Sequence, residues 1–267
     1  MAEQRSFRSI ADASNPNAGR IYDFIIGGHH NFEVDRQVAQ QIIKAAPFVP
    51  KLLRLIRWFL GEAVRRLTAD GYSYFVDFAS GLPTVDHIHQ VAPSGTKVIY
   101  SDIDPVTVAY GQEILKDNAD ARYVACNAGK PEGLLGAPIV SELFGKIRRV
   151  AIGFNGIAFF LTNDEVAHAM KTLYDWADTG SRLFLCDSGF EASTVTPILQ
   201  ENFNLYEKLG QPMTFRSIET TKHLISPWRV MAPGFQPLEE WIDMEAQVAR
   251  ETEEVHGVSF QGAILEK

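Results

Sequence analysis

Two carboxylates and a glycine turn carry the strongest chemical signal in the chain. Asp77-Phe78-Ala79-Ser80-Gly81-Leu82-Pro83 follows one short apolar run, and Ser101-Asp102-Ile103-Asp104-Pro105 follows the next. Gly81 and Asp102 are 21 positions apart, close to the roughly 20 that separate a glycine turn from an acid gripping a ribose diol. A carboxylate suits that task because its two oxygens can each accept a bond from a vicinal hydroxyl. The spacing therefore points to an adenosine-type ligand. A dinucleotide asks for Gly-x-Gly-x-x-Gly, so that backbone can approach a pyrophosphate. Aligned on Gly81, this chain has Ala79 first and Thr84 third. S-adenosylmethionine carries an amino acid and a sulfonium instead of phosphates, so one glycine turn and a strand-end acid, Asp77, suffice for it. A turn and an N-cap aspartate with no ligand at all would leave the same bare pattern.

These residues need a parallel sheet to position them. Apolar runs at Tyr74 to Phe78, Lys97 to Tyr100, Arg122 to Cys126, Val150 to Phe154 and Arg182 to Cys186 read as strands. Between them lie helical patterns at Val85, Ile88 and Val91, at Val106, Ala109 and Ile114, and from Val166 to Trp176. Strands alternating with helices imply an α/β fold with helices on both faces of a parallel sheet. Ligands in such sheets bind beyond the carboxyl ends of the strands, where strand order reverses. Asp104 before Pro105 is an N-cap followed by proline at the first helical position. Thr162-Asn163-Asp164-Glu165 is a capping box whose helix is expected to close at Gly180.

About 70 residues of mainly helical chain precede the first strand. Residues 1–13 are polar and unpatterned. Ser14 to Asn31 packs turn formers around one short apolar stretch, and two amphipathic helices follow, the second stopped by Gly71. Residues 191–225 read as helices, Trp228 to Met231 as a strand, and Val258 to Leu265 as a last strand. The expected organisation is a single domain: a helical cover over 1–70, a cofactor-binding core over 71–190, and the rest of the sheet with the substrate side over 191–267.

Length and composition agree. The chain has 267 residues with 46% hydrophobic and 22% charged, ordinary globular usage. No apolar run approaches a membrane span and the N-terminus has no signal pattern, so a cytoplasmic protein without a membrane partner is expected. A net charge of −8 repels a phosphate backbone, which disfavours nucleic acid and leaves a small molecule as the default substrate, with a protein as the other option. Nothing indicates an oligomeric state. Cys126 and Cys186 each lie in a strand-like run and are expected as buried free thiols. Adjacent His29 and His30 cannot face one metal together. His87 and His89 are expected within a helix, facing solvent or packed beside it, so no metal site is expected.

The chain resembles the bacterial S-adenosyl methyltransferase family formerly catalogued as a domain of unknown function. The resemblance rests on Ala18-Gly19-Arg20-Ile21-Tyr22-Asp23 with Gly27-Gly28, on Asn31-Phe32 and Asp35-Arg36, on Asp77 with Gly81 to Thr84, and on Tyr100 to Pro105. It covers most of residues 14–190. It implies a Rossmann-like class I methyltransferase fold, a mostly parallel seven-stranded sheet with an antiparallel C-terminal strand, and S-adenosylmethionine as cofactor. On that reading Asp102 holds the ribose, Ile103 packs on the adenine, Asn127 and Ala128 line its edge, and Asp77, Ala79, Ser80 and Gly81 bound the methionine. Phe154 and Asn155 follow at the fourth strand. Arg20 is expected on the cofactor carboxylate and Tyr22 over the sulfonium. Gly27 and Asn31 belong to a lid. The chain departs from the resemblance at Ala79, where a glycine is usual, at Asn127, where an aspartate is usual, and at Phe154-Asn155-Gly156, where Leu-His is common. These departures keep open a protein that binds the cofactor without turnover, and the missing glycines leave an NAD-type oxidoreductase as a weaker alternative. No general base is identifiable.

Overall fold

The structure is a computed structural model that describes residues 14–188, 212–242 and 260–267, with Gln200, Asn204 and Glu207 between them. Its helices are α1 (Ala18–Ile25), α2 (Glu33–Ala45), α3 (Val49–Ala69), α4 (Ile88–Val91), α5 (Pro105–Ile114), α6 (Glu132–Leu135), α7 (Pro138–Phe144), α8 (Asn163–Trp176), α9 (Ile218–Leu224) and α10 (Leu238–Trp241). Its strands are β1 (Tyr74–Asp77), β2 (Lys97–Asp102), β3 (Ala121–Ala125), β4 (Ala151–Asn155), β5 (Arg182–Asp187), β6 (Arg229–Val230), β7 (Gln236–Pro237) and β8 (Gln261–Glu266). They form one sheet in the order β3-β2-β1-β4-β5-β8-β6, with β7 also on β8.

Strands β1 to β5 pair in parallel, and β8 runs antiparallel to β5 with Leu183 opposite Leu265. The Rossmann-like sheet with an antiparallel last strand is therefore present, but it has eight strands where seven are expected. The strand expected over Trp228 to Met231 is β6, paired to β8 through Val230 opposite Leu265; the addition is β7, two residues that pair with β8 through Gln236 opposite Gly262. Strand order reverses between β2-β1 and β4-β5, so the crevice predicted for a ligand opens above Asp77.

Strand alternation divides the core. Phe75, Val98, Tyr100 and Phe184 pack under α3 with Leu52, Ile56, Phe59, Leu60 and Val64. Val76, Ile99, Ile152 and Leu183 pack on the other face with Val166, Ala169, Met170 and Leu173 of α8. Each large aliphatic side chain so buried contributes about 1.5–3 kcal/mol. Helix α3 ends where Gly71 predicts. Gly71 has φ +84°, its N–H bonds the Thr68 carbonyl, and the Tyr72 N–H reaches Leu67 O at 3.0 Å, a Schellman closure.

Three local expectations change. Helix α8 ends at Trp176, because Ala177 is extended and Gly180, at φ +84°, makes the turn into β5 instead. The Val85 to Val91 pattern yields only Ile88–Val91 as helix, since Asp86 takes a left-handed φ of +49° that interrupts it. His87 consequently caps α4 and is fully buried rather than facing solvent. Of the helices expected over 191–225, α9 is present, residues 212–217 are non-helical, and most of the remainder lies outside the described residues. The expectation for residues 1–13 also lies outside them. Among the described residues no helix is long and apolar enough to cross a membrane.

Candidate active site

A cavity of about 610 Å³ opens above the carboxyl ends of β1, β2, β3 and β4, under a cover made by α1, α2 and α3. Its floor is polar. The turn after β1 is stitched to β2: Ser80 Oγ donates to the Asp77 carbonyl at 2.9 Å, and the Ser101 N–H donates to Ser80 Oγ at 3.2 Å. This lets the chain leave the sheet at Ala79 and Gly81 with φ of +51° and +62°. The second value is ordinary for glycine. The first is strained for alanine, whose Cβ disfavours left-handed backbone.

Across the crevice, Asp102 accepts bonds from the Gly81 N–H at 3.2 Å and the Asp104 N–H at 3.0 Å. Burial raises its pKa against those bonds. Ile103, next to it, is 66% exposed and lines the cavity. A branched aliphatic so exposed beside a polar floor offers an unfilled flat contact for a planar ring. Asp104 caps α5 through the Thr107 N–H at 2.7 Å and also accepts from Asn17 Nδ2 at 2.7 Å, tying α1 to the core. Asn127 Oδ1 accepts the Gly129 N–H at 2.8 Å, which leaves its Nδ2 donors for a ligand.

Asp77 is buried, and desolvation pushes its pKa up to about 6, against the lowering effects of Ser80 and Arg57. Its Oδ1 lies only 2.0 Å from where a Cβ would stand on Gly153 of β4, so a side chain there would displace it. His87 supports the same turn from below. Its Nδ1 accepts the Ile88 N–H at 3.0 Å, so Nε2 carries the proton and donates to Ser80 O at 3.0 Å. Both nitrogens are thus used by a neutral ring, and burial holds its pKa well below the usual histidine range.

Ten of the expected site residues line this cavity: Tyr22, Asp77, Ala79, Ser80, Gly81, Asp102, Ile103, Asn127, Ala128 and Asn155. Four do not, and each has a physical reason. Arg20 is bound to Asp35 through Nε at 2.7 Å with both side chains buried, so its charge is already met inside the fold. Asn31 spends its amide on Asp23 Oδ2 and Gly28 O, both at 3.0 Å, and its Oδ1 on Arg36 at 3.1 Å. Gly27 is an exposed turn residue at φ +92°. Phe154 alternates into the core, where it faces Phe78 at 6.3 Å between ring centroids. Tyr22 does reach the cavity, but its hydroxyl donates to Leu53 O at 3.2 Å.

The sequence reading missed Arg57. It lies on the cavity wall with its Cζ 5.4 Å from the centroid of the Tyr22 ring. Its signal was available: position 57 falls at helical spacing with Leu53, Leu60 and Val64, a charged residue on an apolar stripe. The cavity also has an apolar chamber that composition could not reveal, between α3, with Leu52 and Leu60, and Phe159, Phe160, Met213 and Phe260.

A family model described as S-adenosyl methyltransferase matches residues 4–264. A methyltransferase candidate from Thermobifida fusca YX is 26% identical, with a TM-score of 0.79 over 97% of both chains. A protein of the DUF574 family from Streptomyces avermitilis MA-4680 is 24% identical, with a TM-score of 0.82 over 96% of this chain and 99% of that one. Magnesium protoporphyrin IX methyltransferase from Synechocystis PCC 6803, solved with bound S-adenosylhomocysteine, shares 13% identity and a TM-score of 0.53, over 92% of this chain and 93% of that one. No curated protein matches the chain.

Proposed function

From the premise that the chain belongs to the S-adenosyl methyltransferase family, we propose that it transfers a methyl group to a small, largely apolar acceptor held in the chamber under the helical cover. Membership makes S-adenosylmethionine the cofactor and removes the oxidoreductase alternative. The observation that carries the acceptor class is the chamber itself, continuous with the polar floor and lined by Leu52, Leu60, Phe159, Phe160, Met213 and Phe260. A cavity of about 300–1,000 Å³ walled by apolar side chains with a few polar groups is the usual form of a small-molecule site. A protein side chain would need an open approach, and α1 to α3 stand over it.

The residues fit the cofactor. Arg57 and Asn155, whose buried Nε, Nη1 and Oδ1 have no partner among the described residues, line the same cavity as exposed Ile103. Asp102 takes the two ribose hydroxyls on the lone pairs its backbone contacts leave free. Ile103 covers one adenine face, while Asn127 Nδ2 and Ala128 meet the adenine edge. Asp77, Ala79, Ser80 and Gly81 bound the methionine portion.

S-adenosylmethionine supplies a methyl group on a sulfonium, a leaving group that departs as a neutral thioether. The protein's contribution is alignment: a nucleophile held in line with the methyl carbon beneath the helical cover. Among the described residues, the chamber side chains Leu52, Leu60, Phe159, Phe160, Met213 and Phe260 include no proton acceptor, which suits an acceptor that arrives with a free lone pair or an acidic hydroxyl. Calorimetric titration with S-adenosylhomocysteine tests the cofactor site. Incubation with methyl-labelled cofactor and a panel of aromatic and aliphatic amines, phenols and thiols, read by mass spectrometry, tests the acceptor class. Turnover of apolar small molecules supports it, and labelling confined to added proteins overturns it.

A further inference from the structure

Arg57 is 5% exposed, yet its Nε and Nη1 have no hydrogen-bond partner among the described residues. A buried guanidinium left in this state costs several kcal/mol unless something compensates it. It contacts Tyr22, through the ring face and the hydroxyl, which offsets only part of that cost. Asp77 lies close enough to feel its charge, but the two form no ion pair within 4 Å among the described residues. Asn155 Oδ1 is also buried without a partner among the described residues, although Asn155 Nδ2 is pinned to the Ile56 carbonyl at 2.9 Å, one residue before Arg57. A cation with two unmet donors, a buried anion and an unmet acceptor thus stand together where α3 crosses the ends of β1 and β4. A single neutral or singly charged ligand would leave one of them unmet.

We propose that Arg57 binds the α-carboxylate of the cofactor while Asp77 and Asn155 Oδ1 receive its α-ammonium, the three forming a clamp for an amino-acid zwitterion. The inference rests on the cofactor reading above. A guanidinium is the appropriate group, because its planar fork matches a carboxylate through two parallel N–H donors. It also replaces Arg20, which Asp35 already occupies. Tyr22 then serves as the shelf that keeps the Arg57 fork over the turn. With its hydroxyl committed to Leu53 O, it cannot rotate away freely.

The test compares two probes that differ by the amino-acid moiety, S-adenosylhomocysteine and 5′-deoxy-5′-methylthioadenosine, titrated into the full-length protein, Arg57→Met, Arg57→Lys and Asn155→Ala. Arg57→Met is expected to weaken S-adenosylhomocysteine at least tenfold and leave methylthioadenosine within twofold, with Arg57→Lys intermediate. Asn155→Ala is expected to show the same selectivity with a smaller loss. Equal weakening of both probes by Arg57→Met would make Arg57 a structural residue and overturn the clamp. An unchanged affinity for S-adenosylhomocysteine would give Arg57 to the acceptor and overturn it as well. Wild-type protein that binds neither probe would instead remove the cofactor site, and the clamp with it.

Discussion

The Asp102 carboxylate accepts the Gly81 backbone N–H at 3.2 Å, so the glycine turn after β1 and the acid ending β2 form one contact across the crevice. A ligand that bonds Asp102 is thereby held at a set height over the turn. Asp102→Ala is expected to weaken S-adenosylhomocysteine by about 1.5–3 kcal/mol, the value of hydrogen bonds to a charged acceptor, or roughly ten- to one-hundred-fold. Asp104→Ala should instead cost about 1 kcal/mol of stability through the lost helix cap, with a smaller effect on affinity. Calorimetry and urea unfolding of both variants separate the two roles.

Asp77 makes stability depend on pH. Its folded pKa, about 6, lies above the ordinary 3.8, so the native state binds the extra proton between roughly pH 4 and 6. Stability from this group is therefore greatest below pH 4 and falls as pH rises through 6, by on the order of 2–3 kcal/mol. Arg57 and Asp102 are the charged groups acting on it, with His87 beside it, and burial holds the His87 pKa well below the usual histidine range. Asp77→Asn should remove this part of the pH slope, measured as the difference between its unfolding curves and those of the wild type. Affinity for a ligand ammonium should run the other way, rising through pH 6 in the wild type and staying flat in the variant.

Much of the fold was legible because strand runs, caps and helix stops are local. The Asp104 cap, the Thr162 capping box and the Gly71 stop are each decided within a few residues. The floor of the site was legible for the same reason: it follows the strand ends. The cover was not. Arg20 and Asn31 look like ligand-binding residues in a turn-rich segment, and sequence cannot say that Asp35, 15 positions on, and Asp23 supply their partners. Asn155 and Phe154 differ only by strand alternation, which sends one to the cavity and the other to the core. Arg57 is marked in the sequence as a charge on an apolar helical stripe, but its neighbours across the cavity come from β1 and β4, far along the chain, so its place in the site is not.

The Arg20 and Asp35 pair should behave as structure. Asp35 also accepts the Asn17 N–H at 2.9 Å and the Phe32 N–H at 2.8 Å, so it holds both ends of the turn-rich segment. Arg20→Ala leaves this buried carboxylate without its counter-ion and is expected to cost about 3–5 kcal/mol. The paired change Arg20→Met with Asp35→Leu should lose less than the sum of the single changes. Chemical denaturation of the four proteins, as a double-mutant cycle, measures it.

Cys126 and Cys186 are both buried and free. Cys126 directly follows β3 and Cys186 lies within β5, and β2, β1 and β4 stand between the two strands in the sheet. Four steps of about 4.8 Å exceed the reach of a disulfide, roughly 7 Å between Cα atoms. Thiol titration of the unfolded protein should count two, and a count of zero in fresh monomer would contradict the strand order. In the native protein both should react slowly, since burial raises both thiol pKa values. Cys126 lines the cavity, so S-adenosylhomocysteine should slow its labelling further while Cys186 stays unreactive with or without ligand.

Ala79 holds a left-handed φ of +51° at the point where the chain turns off β1 into the cavity. For alanine that conformation costs about 1–2 kcal/mol, and it persists because the Ser80 bonds on either side hold the turn. Ala79→Gly removes the clash but gives the unfolded chain more freedom, an offset of about 0.5–1 kcal/mol. The expected net effect is a gain in stability of up to about 1 kcal/mol. The turn geometry is unchanged in that variant, so cofactor affinity should stay within about threefold, since Asp77 and Gly81 keep their places. Ala79→Val should do the opposite, because a β-branched side chain tolerates positive φ less well than alanine. Thermal unfolding with and without S-adenosylhomocysteine reads both quantities. A loss of stability in Ala79→Gly would show that the methyl group packs on the cavity wall strongly enough to outweigh its backbone strain.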